Sequence, residues 1–167
     1  MNYTVAYPSQ PEIDWTNKIA EELFGTEDDE TQAKPTLENA LKLISVEKNN
    51  FICLKNKEGI IAWSVVLPTS KENMEKFLKK EIDEKELFQI SFGTQSFETL
   101  YLTAVVVLPE YRRMGLGSSL LKKQIEYFKN TYGINDFYAM LLTGEGERMI
   151  KAVERDFGMH ILSISRV

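Results

Sequence analysis

Residues with the chemistry to hold a phosphate are concentrated in one stretch, Val105-Val106-Val107-Leu108-Pro109-Glu110-Tyr111-Arg112-Arg113-Met114-Gly115-Leu116-Gly117-Ser118. A β-branched run stops at Pro109, a short turn carries Arg112 and Arg113, and Gly115 and Gly117 lead into a helical run that starts at Ser118. The order is strand, basic glycine-bearing turn, helix. A helix N-terminus leaves backbone N–H groups unpaired and carries a partial positive charge. Glycines let an anion approach those groups closely, and a guanidinium pairs with phosphate oxygens in a bidentate fork. A strand, turn and helix that bind nothing would contain the same pieces. The Val-x-Pro strand before the turn and the amphipathic helix after it favour the binding reading.

Other phosphate loops fit less well. A Walker loop needs Lys and then Ser or Thr after its last glycine, but Gly117 is followed by Ser118-Ser119. The dinucleotide fingerprint needs a third glycine, which is missing. The pattern present is Val-x-Pro followed by Arg-x-x-Gly-x-Gly, with Arg112, Gly115 and Gly117 at its defining positions. It resembles the GNAT superfamily of acetyl-CoA-dependent N-acetyltransferases, specifically so from about Tyr101 to Leu121. The resemblance implies that the loop Arg112, Arg113, Met114, Gly115, Leu116, Gly117 and Ser118 holds the pyrophosphate of coenzyme A. It also implies that the backbones of Val105, Val106 and Val107 pair with the pantetheine arm and stabilise the thioester oxygen.

The elements that must position this loop follow from periodicity and punctuation. Asn2 to Tyr7 reads as a short strand and Pro11 to Phe24 as a helix stopped by Gly25. Thr36 to Glu47 reads as a second helix, and Phe51–Lys55 and Gly59–Leu67 as a hairpin around Asn56–Gly59. Thr69 to Phe92 is helical in composition, Phe97 to Leu108 is a long strand, and Gly115 to Tyr132 is a helix stopped by Gly133. A strand at Asp136–Thr143, a helix at Glu145–Phe157 and a last strand at Met159–Arg166 complete the chain. The order predicts an α/β chain with a mixed sheet and helices on both faces. The resemblance makes the sheet mostly antiparallel, with six to seven strands and a splayed central pair. It also marks residues 69–92 as a helical insert.

Composition narrows the function classes. A chain of 167 residues predicts a single domain over 1–167. No apolar run approaches the ~20 residues that span a bilayer, and Met1–Pro8 lacks the basic and apolar regions of a signal peptide. The lone Cys53 sits in an apolar run and excludes an intrachain disulfide. These features predict a cytoplasmic protein without a membrane partner. A net charge of −5 and a pI of about 5.1 argue against nucleic acid as a partner. They are consistent with a cationic acceptor. No cluster has metal-ligand spacing, so no metal is expected.

The resemblance implies transfer of an acetyl group from acetyl-CoA to the primary amine of a small molecule or peptide. The amine attacks directly in a ternary complex, in a monomer or homodimer. Such transfer needs a neutral amine, a stabilised oxyanion and a proton for the leaving thiolate. Many members have a glutamate eleven residues before the loop's first arginine; here that position is Tyr101, and the nearest acid is Glu98. Both are candidate catalytic residues, although period-2 alternation puts them on opposite faces of the strand unless a bulge intervenes. The family's tyrosine acid corresponds to Glu154 and its helix asparagine to Glu147, and neither matches. His160, Trp63 and Tyr138 read as structural. These departures keep two other readings open: a catalytically weak acyl-CoA-binding sensor or interaction module on the same fold, and a phosphate-binding domain for another nucleotide.

Overall fold

The run Ile60-Ile61-Ala62-Trp63-Ser64-Val65-Val66-Leu67 is apolar on both alternating sets of positions, which marks a strand covered on both faces. It lies in the middle of a six-stranded sheet in the computed structural model, which describes residues 2–166. Met1 and Val167, the ends of the domain expected over 1–167, lie outside the described residues. The strands follow chain order across the sheet: β1 (Thr4–Ala6), β2 (Phe51–Asn56), β3 (Gly59–Thr69), β4 (Thr99–Val107), β5 (Asp136–Leu141) and β6 (Leu162–Ser165). β1 to β4 pair antiparallel, and β4, β5 and β6 pair parallel. The two parallel crossovers run through α5 (Leu116–Tyr132) and α6 (Gly144–Phe157).

The helices start and stop where local chemistry dictates. In α1 (Gln10–Phe24), Glu12 accepts the Ser9 backbone N–H at 2.7 Å, Pro11 occupies the first turn, and Gly25 ends the helix at φ 58°. α2 (Leu37–Val46) is capped by Thr36, whose hydroxyl accepts the Asn39 N–H. The helical stretch expected over 69–92 is two helices, α3 (Lys71–Leu78) and α4 (Glu84–Thr94). Asp83 and Glu86 form a reciprocal capping box that restarts the chain as α4. The strand expected to reach Thr143 ends at Leu141, because the Thr143 hydroxyl accepts the Gly146 N–H and caps α6.

One face of the sheet packs Val66, Leu100, Leu102 and Phe137 against Leu121, Ile125 and Phe128 of α5 and Val153 of α6. The other face is covered by two helix pairs. α1 and α2 lie over Phe51, Cys53 and Trp63, while α3 and α4 lie over Leu67, Tyr101 and Tyr138. A fully buried side chain of this size contributes roughly 1.5–3 kcal/mol relative to exposure.

β4 is paired on both sides at one end and on the β3 side alone at the other. Near its start the Thr69 hydroxyl lies 2.6 Å from both the Thr99 and the Tyr138 hydroxyls, linking β3, β4 and β5. The β3–β4 register shifts between Val65, opposite Ala104, and Val66, opposite Leu102, so Thr103 is an extra, bulged residue. The bulge resets the alternation: Tyr101 and Val106 pack on the helical face of α1 to α4, and Leu102 and Val105 on the α5–α6 face.

α5 is tied to the sheet by Gln124, which is 1% exposed. Its carbonyl accepts the Ser64 hydroxyl at 2.6 Å, and its amide donates to the Asn49 carbonyl at 2.9 Å. Gln124→Leu strands the buried Ser64 hydroxyl and the part-buried Asn49 carbonyl. It should lower stability by about 2–4 kcal/mol in urea unfolding, with an unchanged m-value.

Candidate active site

Beyond Leu102 the sheet opens. β4 pairs with β5 only over Thr99–Leu102 against Asp136–Ala139, while β4 itself runs on to Val107. A cleft of about 750 Å3 fills the gap, within the range of ligand sites. Its walls are the β4 backbone from Thr103 to Val107, the loop from Tyr111 to Ser118, and the first turns of α6. The three valines divide between faces. Val106 is 3% exposed and packs with Trp63, whereas Val105 and Val107 turn toward the α5 side.

A short 3-10 turn at Pro109–Tyr111 delivers the loop. The Arg112 Nε–H donates to the Val107 carbonyl at 3.2 Å, which holds the guanidinium beside the end of β4. Arg113 (φ 62°) and Gly115 (φ 74°) are both left-handed, a backbone pattern that gathers successive N–H groups into an anion-binding concavity. The first α5 bond runs from the Ser119 N–H to the Gly115 carbonyl, so the N–H groups of Leu116, Gly117 and Ser118 belong to the helix's unpaired first turn. Gly117 is required for packing rather than for its φ. A Cβ there would lie 3.1 Å from Val105 Cγ1, 3.2 Å from Met149 Sδ and 3.3 Å from Val107 Cγ2. Met114 is 50% exposed, while the Leu116 side chain is buried against Ile61 and Leu120 and offers the site only its backbone. Arg148 adds a third guanidinium to the cleft wall, ion-paired to Glu145 at 3.3 Å.

The two catalytic candidates lie apart from this cleft. Glu98 precedes β4, and its carboxylate accepts the Lys71 N–H at the start of α3 and the Ser96 hydroxyl. Ala104 lies six positions further along the chain, about 20 Å when extended, so Glu98 stands at the opposite end of β4 from the cleft. Tyr101 is 1% exposed, with its ring edge-on to Phe77 at 5.1 Å. Its hydroxyl donates to Glu84 Oε1 at 2.7 Å, and burial, with the Glu84 carboxylate beside it, holds the phenol well above its ordinary range. Tyr101 is thus held in place as a donor to Glu84.

The remaining sequence candidates are structural. Glu154 accepts the Ile161 N–H at 2.7 Å and lies 2.8 Å from His160 Nδ1, tying the end of α6 to the approach of β6. Glu147 pairs with Lys151 one turn on. Cys53 is fully buried, and burial pushes its thiol up to about 11.

Sequence reasoning missed a smaller cavity, of about 100 Å3, beneath α1, α2 and α4. It shares Phe24, Thr103, Ala104 and Leu142 with the cleft, so the two spaces meet at the β4 bulge. Glu84, the first residue of α4, lines it at 7% exposure. An acidic first turn normally signals solvated dipole compensation.

Among the described residues no group of side chains is arranged to hold a metal, and no helix is long and apolar enough to cross a membrane. No curated protein matches the sequence. Solved structures share the fold. Diaminobutyrate acetyltransferase EctA from Paenibacillus lautus, solved with L-2,4-diaminobutyric acid and coenzyme A, is 11% identical with a TM-score of 0.61, over 94% of this chain and 77% of that one. The Drosophila melanogaster polyamine N-acetyltransferase, which forms N-acetylagmatine, is 15% identical with a TM-score of 0.59, over 91% and 82%. The loading GNATL domain of CurA from Lyngbya majuscula is 16% identical with a TM-score of 0.51. The match covers 81% of this chain and only 62% of the CurA chain. The sequence model of the acetyltransferase (GNAT) family matches residues 13–159, from α1 through the start of the final segment. With that match spanning the splayed β4, the basic loop and both crossover helices, the chain belongs to the acetyltransferase (GNAT) family.

Proposed function

We propose that this protein transfers an acetyl group from acetyl-CoA to a primary amine by direct attack while both are bound. The single domain expected over 1–167 carries the activity, and residues 69–92 are its helical insert. The observation that carries this reading is the parting of β4 from β5 at Leu102, which opens a cleft onto the basic turn before α5. Acetyl-CoA supplies the acetyl thioester. The first-turn N–H groups of Leu116, Gly117 and Ser118, with Arg112 and Arg113, suit its pyrophosphate. The loop backbone at Met114 and Gly115 completes the cradle. The free backbone edge of Val105, Val106 and Val107 suits the amide-bearing pantetheine arm and offers N–H donors to a thioester oxygen as it gains charge. The amine approaches from the smaller cavity, which meets the cleft at Thr103.

A second reading, an acyl-CoA-binding module without efficient turnover, draws support from Glu154, which is occupied by Ile161 and His160 rather than presented to the cleft. A coupled thiol-release assay with a panel of primary amines separates the two. Turnover supports the enzyme, and coenzyme A binding without thiol release across the panel supports the module.

Arg112→Ala should weaken coenzyme A binding by about 1.5–3 kcal/mol in calorimetry, the range for a charge-assisted bond. Pantetheine, which lacks the pyrophosphate, should bind wild type and variant alike. Equal losses for both ligands would mean that Arg112 acts by holding the end of β4 through Val107.

Glu154→Gln should leave turnover within about threefold of wild type, because the amide oxygen still accepts the Ile161 N–H. A general acid contributes about 100-fold or more. A loss of that size, with coenzyme A affinity unchanged, would assign Glu154 the protonation of the thiolate.

A further inference from the structure

We propose that Glu84 is the residue that reads and deprotonates the acceptor. Its carboxylate pairs with the ammonium of a small, apolar-bodied primary amine in the cavity beneath α1, α2 and α4. This inference rests on the transfer reading above and deepens it.

Four observations converge on Glu84. The first is its burial without a counter-ion: its carboxylate oxygens accept the Tyr101 hydroxyl at 2.7 Å and the Ala33 N–H at 2.9 Å, and among the described residues no Lys or Arg lies within ion-pair distance. A buried carboxylate lacking a cation is costly to keep ionised, and a ligand's ammonium supplies the missing partner. The second is polar atoms without partners. Thr103 Oγ1 and Asn17 Nδ2 are buried, make no hydrogen bond, and line the same cavity as Glu84. Buried polar atoms are nearly always paired, so two in one cavity mark a place where a ligand's polar end sits.

The third is size and lining. The cavity measures about 100 Å3 and is walled by Phe24, Leu43, Trp63, Val65 and Phe88. An apolar cavity of roughly 150 Å3 accommodates benzene, so the buried part of a ligand in this smaller one is a short aliphatic body. The fourth is continuity with the cleft. Thr103 and Ala104 line both spaces, so an amine beside the Thr103 hydroxyl faces the open edge of β4.

The charge environment suits proton transfer. Burial pushes the Glu84 carboxyl up, while the Tyr101 hydrogen bond, the Ala33 N–H and Arg166 pull it down and Asp29 pushes it up. Lys34 also lines the cavity, but its ammonium is held by the Thr26 carbonyl at 2.8 Å. An ammonium entering the cavity gives one proton to Glu84. The freed nitrogen lone pair forms the C–N bond to the acetyl carbon. The C–S bond breaks, its electron pair leaves with sulfur, and the second nitrogen proton ends on that sulfur. Glu84 returns its proton to solvent, so the balance is an ammonium and a thioester giving an amide, a thiol and one proton.

The test uses butylamine as probe on the full chain, with Glu84→Gln and Thr103→Val. Calorimetry of butylamine on coenzyme A–saturated protein reads the cavity without turnover. We expect both variants to bind butylamine at least fivefold more weakly and coenzyme A as wild type does. In steady state, Glu84→Gln should lose about 100-fold or more in kcat, the usual contribution of a general base, and the acidic limb of its pH profile should disappear. Thr103→Val, which removes only a hydroxyl, should raise the butylamine KM with kcat changed little, and it serves should Glu84→Gln fail to fold. Butylamine affinity and kcat unchanged in Glu84→Gln would overturn the inference, as would unchanged butylamine binding in Thr103→Val. If wild type binds butylamine in a Glu84-dependent way yet releases no thiol with any amine, the transfer reading and the proton-acceptor role fail together, and the ammonium site stands.

Discussion

The structure depends on one broken partnership, the loss of β5 as a neighbour to β4 after Leu102. Backbone N–H and C=O groups in a sheet are obligatory hydrogen-bonding groups, and an interior strand normally satisfies them on both sides. From Thr103 to Val107, β4 has β3 on one side and a cleft on the other. Such an edge would be a liability if it faced another sheet. Here it is recessed between α5 and α6, where only a narrow chain with amide groups of its own could complete the ladder. The hydroxyls of Thr69, Thr99 and Tyr138 fasten the opposite end of the strand, so the opening is confined to one half of the sheet.

The bulge at Thr103 is the second consequence of that geometry. One extra residue puts Tyr101 and Val106 on the same face and leaves a hydroxyl at the junction of two cavities. The larger space carries guanidinium groups and helix-end N–H groups, and the smaller carries a buried carboxylate within an aromatic wall. A protein with a net charge of −5 thus gathers guanidinium groups in the larger space and keeps a buried carboxylate in the smaller, where the Lys34 ammonium is held by the Thr26 carbonyl. This polarity matches the proposed pair of ligands, an anionic donor and a cationic acceptor.

The helices between β3 and β4 enter the site through this polarity. α3 and α4 cover the sheet with Met74, Phe77, Leu87 and Phe88, and α4 starts with its first carboxylate turned onto Tyr101. The phenol of Tyr101 on β4 thus has as its partner an acid from another element. The carboxylate beside β4 at this point of the fold is therefore supplied from outside the strand.

Much of this was legible in the sequence for a local reason. The stops at Gly25 and Gly133 and the turn from Pro109 to Ser118 each depend on residues within a few positions of one another. Periodicity likewise exposed the order of strands and helices. The tertiary structure alone decided which groups meet. Glu84 reads as an ordinary solvated helix start until it is seen bonded to Ala33, 51 positions away, and to Tyr101, 17 positions away. Glu98 reads as the nearest acid to the loop, yet the length of the strand carries it to the far end. Alternation failed at Thr103 because a bulge is set by the register of β3 against β4, a property of two strands that neither sequence states by itself.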